Sequence, residues 1–148
     1  EHENIIGIKD ASNDLSRPTY IKKYIKHKKC FQLSGEDGTQ LAFLAQGGDG
    51  VISVSANIVP NMIAELHNSW FSGNYSKAMN IDLELMELNN VLFLESNPCP
   101  VKYAASTLGM CDYELRLPLS KISKKNEMII DKVLKSLNIN FSVDANSS

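Results

Sequence analysis

The stretch Asn4-Ile-Ile-Gly-Ile-Lys-Asp, NIIGIKD, closes a short apolar run on Lys9. A run of this length, rich in β-branched residues, reads as a strand. Its last side chain then stands where a buried strand opens into a loop, half out of the core and short of bulk water. Burial there disfavours the charged form of an amine. A neutral lysine is a nucleophile: it attacks a ketone, forms a Schiff base, and the iminium draws electrons from the adjacent carbon, so that a keto acid becomes an enamine. Position alone equally allows a plainer outcome, in which Lys9 pairs with Asp10 or Asp14 or extends its ammonium to water.

Other chemistry-bearing residues carry weaker signals. Glu36 and Asp37 stand together, but acids that open a helix favour its positive end and need no substrate. Gly47-Gly48-Asp49-Gly50 lacks the lysine and hydroxyl of a phosphate loop and precedes a strand rather than a helix, so it reads as a helix stop and turn. His2, His27 and His67 share no metal-ligand spacing. Cys30, Cys99 and Cys111 form no CxxC pair and are odd in number, which fits a reduced cytosolic chain. Lys102, a second lysine, sits in an amphipathic stretch where a structural role is expected, and Trp70 and Phe71 read as core or interface.

The elements that must hold these residues come from a chain of 148 residues, 43% hydrophobic and 22% charged, the composition of one soluble globular domain. A net charge of −2 offers no electrostatic reason to expect nucleic acid or an anionic membrane as partner. The basic cluster from Lys22 to Lys29 reads as the solvated face of an amphipathic helix. No apolar run reaches the ~18 to 20 residues of a membrane span. Apolar runs at 4–8, 30–34 and 50–55 are of strand length. Between them, 18–27 and 37–46 are amphipathic: Tyr20, Ile21, Tyr24 and Ile25 share one side, Pro18 suits a first helical turn, and Leu41, Leu44 and Ala45 share another side. Helical signals then take over at 57–71, 75–94, 98–108 and 123–137, with Ser123 as a capping residue and Met128, Ile129, Val133, Leu134 and Leu137 as a stripe.

The order βαβαβα implies parallel strands joined by right-handed crossovers. Three parallel strands with helices on one side leave the other face and both edges uncovered, whereas all-parallel sheets are normally covered on both faces. One solution is that the strands are the last three staves of a (β/α)8 TIM barrel, whose inner face is covered by the other strands. A small doubly wound α/β domain is the competing solution. On the barrel reading, residues 1–72 hold the last three βα units, 73–140 a C-terminal helical extension and 141–148 a polar tail. A chain that opens on Glu-His-Glu and enters a strand within a few residues reads as cut from something longer.

GIKDAS at the start, LSGEDGTQLAFLAQGGDGVISVSANIVP (33–60), NPCPVKYAASTLGM (97–110) and LRLPLS (115–120) resemble, in order and spacing, the second half of the dihydrodipicolinate synthase family. That family belongs to the pyruvate-dependent class I aldolases, with N-acetylneuraminate lyase and keto-deoxy sugar acid aldolases. The resemblance runs from about residue 1 to about residue 140 and rests on several separated motifs. It implies that Lys9, as the lysine of G-x-K-[DE], forms the pyruvate Schiff base. It further implies that Ser34, Gly35, Glu36 and Asp37 line the active-site mouth, and that the backbone of Ile52 lies beside bound pyruvate. The implied substrates are pyruvate and aspartate semialdehyde, on the way to diaminopimelate and lysine. The lysine–pyruvate imine makes any metal or other cofactor unnecessary, and the resemblance implies a cytoplasmic homo-oligomer.

The family's relay tyrosine, its threonine and second tyrosine partners, the aldehyde-binding arginine and the lysine feedback site all precede the Schiff-base strand. Tyr20, Tyr24, Tyr75, Tyr103 and Tyr113 follow Lys9 and match none of them. The expectation is therefore a C-terminal fragment with little or no turnover alone. The alternatives are a non-catalytic remnant, a half-barrel that needs its N-terminal half as a partner chain, another pyruvate-dependent aldolase, and a small phosphate-binding α/β domain. Inorganic phosphate and ATP are expected to leave the melting temperature unchanged. A ligand-dependent rise in a thermal scan would revive the phosphate-binding alternative.

Overall fold

The computed structural model describes residues 2–25 and 30–139, so the basic positions 26–29, His27 among them, and the 141–148 tail lie outside the described residues. The three apolar runs form one sheet of parallel strands, β1 (Gly7–Asp10), β2 (Phe31–Ser34) and β3 (Gly50–Val51), in that spatial order. The register pairs Gly7 with Phe31, Lys9 with Leu33, and Leu33 with Gly50. Because strand side chains alternate, Lys9, Phe31 and Leu33 share one face while Asp10, Gln32, Ser34 and Val51 share the other.

Strand bounds differ from the sequence expectation in an instructive way. β1 begins three residues later than expected and contains Lys9, while Ile5 and Ile6 are exposed. The third run, expected over 50–55, is a strand for two residues only. Ladder length is set by the shortest partner, and β2 has four residues. Past Ser34, whose carbonyl accepts from the Ile52 N–H (2.8 Å), β3 has no backbone left to pair with, and the chain turns through a short 3-10 segment at Ser55–Asn57.

Six α-helices follow in chain order among the described residues: α1 (Arg17–Ile25), α2 (Gln40–Ala45), α3 (Pro60–Phe71), α4 (Tyr75–Val91), α5 (Cys99–Thr107) and α6 (Lys124–Ser136). α2 is preceded by a 3-10 turn at Asp37–Thr39. It stops where Gly47 takes φ +93°, a left-handed position that suits glycine. Ser123 caps α6 by accepting from the Asn126 N–H (3.4 Å). α1 departs from its expected pattern. Tyr20 and Tyr24 stack on each other at 4.7 Å and are both exposed, and the buried residue of this helix is Pro18. The helix meets the sheet through its first turn, where the Pro18 carbonyl accepts from Gln32 Nε2 (3.1 Å). None of these helices is long and apolar enough to cross a membrane.

Internal contacts divide the chain into two compact units, one of Glu1–Ser53 and Asn61–Asp82, the other of Val54–Pro60 and Leu83–Ser148. In the first, Phe43, Leu44, Ile63, Leu66, Ala78 and Ile81 are buried. In the second, Leu85, Leu88 and Leu92 recur at helical spacing with no exposed surface, and Ala104 and Ile130 are buried to the same degree. The second unit also holds buried Ser55, whose hydroxyl donates to Asn89 Oδ1 (2.6 Å), and the Tyr103 hydroxyl, which donates to Asp131 (3.0 Å).

Coverage of the sheet is one-sided. Gln32 and Ser34 are 2% and 1% exposed on the helix-covered face, whereas Phe31 on the opposite face is 39% exposed and Ile52, just past β3, is 47% exposed. Exposed apolar side chains of this kind bind hydrophobic dyes. Phe31→Glu is expected to lower dye fluorescence while leaving far-UV circular dichroism unchanged. A parent chain that is silent to the dye would contradict the exposure of this face.

Candidate active site

In a parallel sheet all carboxyl ends lie along one edge, so the ends of β1, β2 and β3 bring Lys9, Gly35 and Ile52 to the same side of the first unit. Two backbone hydrogen bonds tie these ends together. The Gly35 N–H donates to the Asp10 carbonyl (2.7 Å), and the Ile52 N–H donates to that of Ser34 (2.8 Å).

Lys9 itself is exposed. The half-buried position expected from the sequence is not what the structure shows, because the sheet face that carries it has exposed neighbours in Phe31 and Ile52. The acids considered as its partners are engaged elsewhere. Asp14 accepts from the N–H (3.0 Å) and hydroxyl (2.6 Å) of Ser16. Asp10 points to the opposite face, as alternation requires, with its side chain 5% exposed; it accepts from Arg17 Nε at 2.5 Å and from the Ser12 N–H at 2.9 Å. Burial alone would raise the Asp10 pKa, but the hydrogen bonds from Ser12 and Arg17, with the attraction of the guanidinium, outweigh it and the net direction is downward. A shallow depression at this end of the sheet is lined by Asp10, Ser12, Asp14, Ser34 and Glu36, without Lys9.

The paired acids at 36 and 37 divide. Glu36 accepts from the Gly38 N–H (3.2 Å), the local capping role that the sequence allowed. Asp37 is 1% exposed and accepts from the Ser53 hydroxyl, so it ties the turn before α2 to the segment leaving β3. His67 Nε2 lies 3.1 Å from Gln40 Oε1, within hydrogen-bond distance of the Gln40 amide. Burial lowers the His67 pKa, and the charge of Asp37 opposes the shift without reversing it.

The remaining candidates have structural partners or open surfaces. Lys102 donates from its Nζ to the Glu114 carbonyl, and Trp70 packs on Tyr75 at 4.7 Å between ring centres, while Phe71 is exposed. Cys30, Cys99 and Cys111 are free thiols. Among the described residues no group of three or more His, Cys, Asp or Glu side chains is arranged to hold a metal ion.

Sequence reasoning did not single out Arg17 or Ser53. Arg17 left a signal: a cation at the first residue of a helix opposes the macrodipole, which argues for an anion waiting there. Ser53 left none, since its partner is sixteen residues away.

The dihydrodipicolinate synthetase family model matches residues 1–137. The 4-hydroxy-tetrahydrodipicolinate synthase of Gluconacetobacter diazotrophicus is 47% identical over 134 residues, covering 90% of this chain and 45% of that protein. Its counterpart in Gluconobacter oxydans is 44% identical over 139 residues, 94% of this chain and 46% of that protein. The crystal structure of dihydrodipicolinate synthase from Aquifex aeolicus superposes with a TM-score of 0.91 at 39% identity, covering 96% of this chain and 48% of that one. The chain thus spans about half the length of the curated relatives it matches.

Neutral His67 makes stability pH-dependent. Its pKa is depressed in the folded state, so the unfolded chain takes up the proton first. Stability present above the ordinary value of 6.5 is lost as pH falls toward the folded value. His67→Gln is expected to melt with a shallower loss between about pH 8 and about pH 5 than the parent. Parallel pH–melting curves for the two proteins would contradict the assignment.

Proposed function

The chain belongs to the dihydrodipicolinate synthetase family, and we propose that it is the C-terminal half of a (β/α)8 Schiff-base lyase whose nucleophile is Lys9. The observation that carries this reading is the location of Lys9 at the carboxyl end of a parallel strand, on the uncovered face of the sheet, beside Gly35 and in line with Ile52. In barrels of this kind catalytic groups come from strand carboxyl ends and face the interior.

On this proposal the Lys9 amine adds to the carbonyl of pyruvate, water leaves, and the imine loses a methyl proton to become an enamine. The enamine carbon attacks the aldehyde of aspartate semialdehyde. The substrate's own amine then displaces Lys9 by transimination as the ring closes, which regenerates the free lysine. Gly35 and the backbone of Ile52 line the pyruvate side of the site.

The uncovered face favours a second element of the proposal: the half-barrel works with a partner chain that supplies the missing layer, or persists as a non-catalytic remnant. Such a layer would exclude water from Lys9 and supply the tyrosine relay and the aldehyde-binding arginine that no residue after Lys9 matches. The chain alone is accordingly proposed to capture pyruvate with little or no turnover. Whether the aldehyde is aspartate semialdehyde, or a sugar acid is cleaved instead, is decided by residues of that layer.

Borohydride reduction in the presence of pyruvate, followed by peptide mass spectrometry, is expected to give one adduct, at Lys9. A folded chain that yields no adduct, or one at Lys102 alone, would overturn the assignment of the nucleophile.

A further inference from the structure

Glycine at position 35 has no conformational explanation. Gly47, Gly73 and Gly109 have positive φ, and Gly35 does not. Space explains it instead. A Cβ at residue 35 would lie 2.8 Å from Lys9 Cε, 2.7 Å from Ala11 Cβ and 3.3 Å from Ala11 Cα, and contacts under 3.0 Å are essentially never made by real Cβ atoms. By contrast, a Cβ at nearby Gly38 would meet only Glu36 Oε1, at 3.4 Å.

These contacts differ in kind. Ala11 is held by backbone, because the residue before it is bonded to Gly35 (Gly35 N–H to Asp10 carbonyl, 2.7 Å) and clamped by Arg17. The Lys9 ε-carbon is near the end of a flexible side chain on an exposed surface, so it can swing away at small cost in stability. A side chain at 35 would therefore cost little through Lys9 and still abolish the path its shaft takes across the end of β2.

We propose that Gly35 is a positioning residue: its missing side chain leaves the slot in which the Lys9 shaft lies, and so sets where the ε-amino group points. This rests on Lys9 being the nucleophile, and it assigns Gly35 a role toward the lysine rather than a substrate contact alone. A misplacement of about 1 Å at a reacting atom is enough to cost orders of magnitude in rate.

The test separates the two contacts. Gly35→Ala alone meets both Ala11 and Lys9, whereas Gly35→Ala with Ala11→Gly removes the 2.7 Å Cβ–Cβ clash and leaves the 2.8 Å one with Lys9 beside a milder 3.3 Å approach to the residue 11 Cα. The double variant is expected to keep the circular dichroism of the parent, yet to lose the nuclear Overhauser contact between the Lys9 ε-methylene and residue 35 that is expected of the parent. Its rate of borohydride trapping by pyruvate at Lys9 is expected to fall at least about tenfold. Gly38→Ala should match the parent in every readout. Parental trapping by the double variant, or no Overhauser contact in the parent, would overturn the proposal. If the parent itself traps no pyruvate, the nucleophile assignment fails, while the Overhauser contact still decides whether the slot exists.

Discussion

The carboxyl end of the sheet depends on Asp10. Its carbonyl receives the Gly35 N–H, which joins the end of β1 to the end of β2. Its carboxylate receives Arg17 and Ser12, which anchors β1 to the helix layer. Lys9 is the residue before it, so every restraint on Asp10 limits the backbone from which the amine projects. The buried carboxylate is tolerated because it is paired and hydrogen-bonded; alone in the same place it would be neutralised by protonation or drive the loop into water. Through Gly35, this arrangement also brings the carboxyl end of β2 beside the lysine shaft.

The uncovered sheet face has the opposite character. On the helix side, Gln32, Ser34 and Asp10 are buried, with Gln32 Nε2, the Ser34 hydroxyl and the Asp10 carboxylate bonded to neighbours, whereas the other side offers Phe31, Ile52 and Lys9 to solvent. A sheet that buries polar side chains and exposes aromatic and aliphatic ones leaves hydrophobic surface unburied. That imbalance is what a second layer over the strands would remove, and it places the exposure of Lys9 and of the apolar residues beside it under one cause.

The grouping of the strand ends was legible in the sequence. The apolar run that stops on Lys9 marked a strand in this stretch, though β1 itself spans Gly7–Asp10, and the glycines at 47 and 48 marked the stop before β3. The motifs around GIKD, SGED and GVIS singled out Lys9, Gly35 and Ile52, which the structure brings to one edge. Less legible were the pairs that cross from element to element. Arg17 with Asp10, Ser53 with Asp37 and His67 with Gln40 have no common spacing, because each depends on how a helix or loop returns to the sheet rather than on periodicity along the chain.

The sequence by itself determined the order of strands and helices, the parallel sense of the sheet and the presence of a lysine near the end of the first strand, because hydrophobic periodicity and crossover handedness act along the chain. The tertiary structure alone decided where the ladder begins and ends, which face of the sheet is covered, and that Lys9 is exposed. It also brought Ala11 and the Lys9 shaft to within 3.0 Å of where a Cβ at residue 35 would lie. Those outcomes follow from pairing length and from atoms that meet only after distant segments are brought together, and neither leaves a periodic trace in the chain.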